Sequence, residues 1–103
     1  MTHTEQVRQY LKNADSASIN MPFVAAFLGM SVSALSHKLR AESESYIQLR
    51  DDERKARAAA LLGRNRKADL VGVQRVTGVS AAHASRCIKR WFGATLPQLR
   101  ESR

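Results

Sequence analysis

VAAFLGMSVSALSHKLR, residues 24–40, and VQRVTGVSAAHASRCIK, residues 73–89, lie 49 positions apart and follow one pattern. In each, a short apolar segment ends at a glycine (Gly29, Gly78). An apolar residue follows (Met30, Val79), and then a serine (Ser31, Ser80) that can cap the next helix. Each stretch therefore reads as helix, turn, helix, with the glycine supplying the backbone freedom of the turn. Two copies in register predict a chain built twice from one plan.

Along the rest of the chain, apolar residues recur every three or four positions rather than alternating, so the expected fold is all-α. About seven helices form two helix-turn-helix subdomains, residues 1–44 and 64–103, joined by a linker helix over residues 45–63. Thr4 is the expected cap of a first helix running to about Lys12, with Val7, Tyr10 and Leu11 on its inner stripe. Asn20 caps a second helix from Met21 to about Leu28, where Pro22 is tolerated because first-turn N–H groups have no helical partner. A third helix, Val32 to about Ala41, buries Leu35 and Leu39. Ser45 opens the longest, Tyr46 to about Leu62, with Gly63 ending it. On this reading Ile47, Leu49, Ala56, Ala60 and Leu61 pack while Arg50, Arg54, Lys55 and Arg57 face water. At about 1.5 Å per residue the linker is roughly 25 Å long, a spacer between two motifs. Asp69 caps a fifth helix, Leu70 to Thr77. The sixth runs from Ala81 to Phe92 and closes at Gly93, and a short turn over Pro97 to Arg100 follows.

The charge is one-sided. Lys and Arg number 17 against 9 Asp and Glu, a net +8, in a chain of 103 residues. Residues 1–49 balance, Arg8, Lys12, Lys38 and Arg40 against Glu5, Asp15, Glu42 and Glu44, so the whole excess lies in residues 50–103. Such a surplus points to a polyanionic partner, because Lys and Arg that neutralise phosphates release condensed counterions. The single cysteine, Cys87, forms no internal disulfide and suits a reducing compartment. No apolar run approaches a membrane span, and Met-Thr-His-Thr-Glu lacks the pattern of a secretion signal. A cytoplasmic protein is the expectation, with no membrane partner.

In a helix-turn-helix the start of the second helix enters the major groove of double-stranded DNA, so its outward side chains face base edges. With Leu35 and Leu39 inward, the first motif exposes Val32, Ser33, Ser36, His37 and Arg40. With Ala84, Ile88 and Trp91 inward, the second exposes Ala82, His83, Ser85, Arg86, Lys89 and Arg90. Arg86 is the strongest base reader, since a guanidinium binds guanine O6 and N7 bidentately. Arg40, Lys89 and Arg90, a turn further on, are placed for phosphates, as are the cap serines Ser31 and Ser80.

The run IKRWFGATLPQLR, residues 88–100, resembles the closing signature of AraC/XylS-type transcription regulators. VAAFLGMS, residues 24–31, resembles their first motif, and the helix ending RAAALL, residues 57–62, resembles their linker helix. The resemblance spans about Glu5 to Arg100. It implies a bacterial-type regulator of transcription whose two recognition helices lie in successive major-groove segments of an asymmetric site. It also implies a monomer on DNA and, for an activator, contact with RNA polymerase. By position it places base-contacting residues at Ser33, Ser36 and His37 in the first recognition helix and at Ala82, Ser85 and Arg86 in the second. The second motif departs from the family pattern: it is one residue shorter between Gly78 and Arg86, with Ala84 for a phenylalanine, Gln74 for an alanine, Thr77 for a leucine and Val79 for an aromatic residue. The length fits either a small protein of one such domain or the DNA-binding piece of a longer regulator.

Other chemistry finds little footing. His3, His37 and His83 are far apart, without a cysteine pair or HExxH spacing, so no metal or cofactor is expected. Ser36 and His37 are adjacent, and neighbours on a helix do not face each other, so no catalytic pair forms and no enzyme is expected. Trp91 and Phe92 sit at helical spacing from Ala84 and Ile88, which assigns them to the core rather than to base stacking. Cys87 reads as a filler at the core edge, with redox sensing as the alternative. Two rivals to a sequence-specific regulator remain. One is a protein-interaction module that sequesters another regulator or contacts RNA polymerase, suggested by the neutral first half and Phe23. The other is a sequence-blind nucleoid or RNA-binding protein.

Overall fold

Thr2 begins the first helix. In the computed structural model, which describes residues 2–65 and 67–101, α1 (His3–Asn13) is capped by the Thr2 hydroxyl, which accepts from the Glu5 N–H at 3.1 Å. The expected cap, Thr4, lies inside the first turn and is buried, because its polar groups have a distant partner. Its hydroxyl donates to Glu42 Oε1 at 2.6 Å and its N–H to the same oxygen at 2.8 Å.

The remaining elements are α2 (Met21–Phe27), α3 (Val32–Ala41), α4 (Tyr46–Arg64), α5 (Leu70–Thr77), α6 (Ala81–Phe92) and α7 (Leu96–Glu101), with a 3-10 turn over Ser16–Ser18. The described residues contain no strand, so the chain is all-α as expected. Four expected helix starts are capped: Asn20 accepts from Phe23 N–H, Ser31 from Ala34 N–H and Asp69 from Gly72 N–H, each at 3.0 Å, and Ser45 from Gln48 N–H at 3.2 Å. Gly29 and Gly78 take left-handed backbone, φ 71° and 76°, in the turns before α3 and α6. A side chain at either would be strained there, which is why the glycine recurs.

The chain divides into two units, Met1–Glu53 and Arg54–Arg103, and α4 contributes to each. The first unit is built around Val7, Leu11, Val24, Leu35, Leu39 and Leu49. The second is built around Ala58, Val73, Ala84, Ile88, Trp91 and Leu96. Positions 49 apart play the same part: Val24 and Val73, Leu35 and Ala84, and Leu39 and Ile88 are all fully or almost fully buried. Thr77, at the place of Leu28, is buried without orphaned polar atoms. Its hydroxyl donates to Val73 O at 2.7 Å and accepts from Val79 N–H at 3.2 Å.

The face of α4 differs from expectation. Ile47, Ala56 and Ala60 are exposed, Tyr46, Leu49 and Ala58 are buried, and Leu61 is half-buried. Arg50, Arg54 and Arg57 are half-buried instead of facing water, whereas Lys55 is exposed. For Arg54 and Arg57 the cause lies in α5. Arg54 Nε donates to Thr77 O at 3.1 Å and Arg57 Nη1 to Val76 O at 3.3 Å, so two guanidiniums satisfy carbonyls at the C-terminus of a helix, its negative end. The helix also runs through Gly63 to Arg64 instead of stopping there.

Glu42, which caps the C-terminus of α3, holds the N-terminus of α1. Besides Thr4 it accepts from His3 N–H at 3.1 Å and lies 3.3 Å from His3 Nδ1. The Thr4 hydroxyl, then the Thr4 N–H and the His3 groups, lower its pKa from the ordinary 4.5 to about 2 against an opposing effect of burial. A carboxylate depressed in the folded state contributes stability that is fully present above pH 4.5 and is lost as the pH falls from 4.5 towards 2. Glu42→Gln is therefore expected to lower the melting temperature at neutral pH and to flatten its fall between these pH values. Parallel acid titrations of melting temperature in the two proteins check this, and superimposable curves would remove the clasp's role.

Candidate nucleic-acid interface

α6 separates its residues by chemistry. Ala84, Ile88 and Trp91 are buried, and Ala82, His83, Ser85, Arg86, Lys89 and Arg90 are exposed, the division expected from the 3.6-residue period. No acidic residue occurs in this helix, so the fixed charges on its outer face, Arg86, Lys89 and Arg90, are all positive. Trp91 is core, and Phe92 meets it edge-on with ring centroids 6.2 Å apart. Cys87 is half-buried against the same cluster, as a filler would be.

The cations on this face are not equivalent. Arg86 and Lys89 are exposed, whereas the guanidinium of Arg90 lies 5.9 Å from the Trp91 ring centroid and its Nη2 is 4.0 Å from Cys87 Sγ. Arg90 thus spends part of its charge on the aromatic face beneath it. Ser85, Arg86 and Lys89 border a groove of about 560 Å³ that Leu70 and Val71, at the start of α5, also line. Those two α5 residues carried no signal for such a role in their own local pattern.

On α3, Ser33, His37 and Arg40 are exposed and Leu35 and Leu39 buried, as expected. Ser36 departs from the expected set. It is half-buried, with its hydroxyl directed at Met21 Sδ at 3.8 Å, because α2 packs over that side of α3. Lys38 and Arg40 make the exposed end of this helix basic.

The cap serines differ as well. Ser31 accepts from the backbone of Ala34, but Ser80, at the equivalent place, makes no side-chain cap bond. Its hydroxyl pairs with His83 Nδ1 at 2.7 Å. The difference follows from the residue three positions on, an alanine in one copy and a histidine in the other, whose ring competes for the hydroxyl. His83 was visible as an exposed residue in the sequence, but its link to Ser80 was not.

Among the described residues no cluster of three or more His, Cys, Asp or Glu is placed to hold a metal ion, and no helix is long and apolar enough to cross a membrane. No protein-family model matches the sequence, and no curated protein matches it. The fold is similar to the crystal structure of a DNA-binding transcriptional dual regulator from Escherichia coli K-12. The TM-score is 0.85 at 25% sequence identity, over 99% of this chain and 92% of that chain.

Proposed function

We propose that this chain is a sequence-specific, double-stranded-DNA-binding transcription regulator of the AraC/XylS type that places α3 and α6 in successive major-groove segments. The observation that carries the reading is the outer face of α6, where Ser85, Arg86 and Lys89 stand exposed on a helix anchored from behind by Ala84, Ile88 and Trp91. Likeness over nearly the whole chain to a DNA-binding transcriptional regulator supports it. In this reading Ser33, His37, Ser85 and Arg86 meet base edges, and Ser36 joins them by leaving its weak thioether contact. Ala82 offers only a methyl group, suited to thymine. Ser31, Arg40, Lys89 and Arg90 meet phosphates, and Ser80, expected among them, has its hydroxyl engaged by His83. The protein acts as a monomer on DNA, meets RNA polymerase where it activates, works in the cytoplasm and has no catalytic role.

Titration against a selected duplex and a random duplex over a salt series tests this. Binding should weaken linearly with the logarithm of salt concentration for both, with the selected duplex preferred throughout. No binding to any duplex at low salt would contradict the proposal, and equal affinity for all duplexes would reduce it to sequence-blind binding. Lys89→Ala is expected to weaken both duplexes alike and to reduce the salt slope by about one. A loss confined to the selected duplex would reassign Lys89 to base reading.

One observation favours a second reading, a surface for another protein. Phe23 and Phe27 on α2 are 54% and 71% exposed, and Phe27 meets the Tyr10 ring at 5.0 Å between centroids. Partner capture separates the two: capture lost with Phe23→Ser and kept without DNA supports the protein surface, and capture lost on removal of DNA supports the first reading.

A further inference from the structure

We infer that His83 is a specificity-determining residue, held by Ser80 so that its free ring nitrogen donates a hydrogen bond to a base edge. The inference rests on the DNA-binding reading of α6 and adds to it a residue that the family pattern does not place there.

Three observations carry it. First, His83 is exposed in the first turn of α6, the part of a recognition helix nearest the bases. Second, its ring is fixed. The Ser80 hydroxyl, freed from capping the helix backbone, lies 2.7 Å from Nδ1, and the equivalent Ser31 instead bonds the backbone N–H of Ala34. The helix thus gives up a side-chain cap, and the hydroxyl orients an exposed imidazole. Third, His83 stands three residues before Arg86, so the two side chains share one face of the helix. Ala82, the position that the resemblance assigns to base contact, has no hydrogen-bonding group, and His83 beside it supplies one.

The direction of this hydrogen bond, set by the ring tautomer, decides what is read. With the Ser80 O–H donating to Nδ1, the hydrogen of the neutral ring sits on Nε2, which points the donor away from Ser80. That donor matches the acceptors of the major groove, guanine O6 and N7 or thymine O4, and not the amino groups of cytosine and adenine. Ser80 is then a positioning residue: it touches no base in this account and acts through His83.

The test is selection of bound duplexes from a randomised pool by the full chain, His83→Ala, Ser80→Ala and Arg86→Ala, with far-ultraviolet circular dichroism to confirm that each is folded. The full chain should prefer guanine or thymine at one base pair close to the one that Arg86→Ala erases. His83→Ala should erase that preference alone, roughly three- to tenfold in relative affinity, the size of one hydrogen bond. Ser80→Ala should blur the same base pair and no other. An unchanged base profile for folded His83→Ala, or an equal loss on all duplexes, overturns the inference and leaves the DNA-binding reading intact. A lost preference for cytosine or adenine overturns the assigned ring hydrogen. If the unaltered chain selects no sequence, the underlying reading fails instead.

Discussion

Replacing Trp91 with alanine is expected to cost about 3–5 kcal/mol and to unfold the second unit. The indole is 8% exposed and belongs to the cluster of Ala58, Val73, Ala84, Ile88 and Leu96 that holds residues 54–103 together. Ala58 and Ala84 are small, so this ring is the largest side chain in the cluster. A unit of this size has only a few kcal/mol in reserve, so a loss of that magnitude removes most of the folded population. Circular dichroism should show a large loss of helix at room temperature for Trp91→Ala. Trp91→Phe, which keeps an aromatic ring, should stay folded with a lowered midpoint in urea. It should also keep DNA binding, since the ring faces the core and not a base. A Trp91→Ala protein with an unchanged melting curve would show that the ring does not anchor the helix.

The second large effect belongs to Arg86. Its guanidinium is exposed on the outer face of α6, in a groove shared with Ser85, Lys89 and the start of α5, and it can meet guanine O6 and N7 together. Arg86→Ala is expected to cost about 1–3 kcal/mol on a selected duplex, to relax base choice at one pair and to leave the melting temperature unchanged. Arg86→Lys should restore the charge but not the two-pronged geometry, recovering affinity for random duplexes more than for the selected one. Fluorescence titrations at matched salt measure both. Equal losses on selected and random duplexes would demote Arg86 to a phosphate contact.

Much of this architecture is written in local signals. The repeat at residues 24–40 and 73–89 located both helix pairs, because an apolar helix face, a left-handed glycine and a cap residue are all short-range requirements. The outward set on α6 followed from periodicity alone. What escaped is tertiary. Thr4 and Thr2 are equally good caps by residue type, and only Glu42, 38 residues away from Thr4, decides between them. The arginines of α4 look solvent-facing until the carbonyls of Val76 and Thr77 arrive beside Arg57 and Arg54. Ser36 reads as a free hydroxyl and Ser80 as a helix cap until Met21 and His83 take them up. In each case a polar side chain that suits water in the sequence has found a partner in the fold.

Adding a selected duplex to the isotopically labelled chain and following its backbone amide chemical shifts shows which helices meet DNA. Perturbations should concentrate on α3 and α6, around Ser33, His37, Ser85 and Arg86, with little effect on Tyr10, Phe23 and Phe27. Perturbations centred on those three aromatic residues, or none along α6, would contradict the placement of α3 and α6 on DNA.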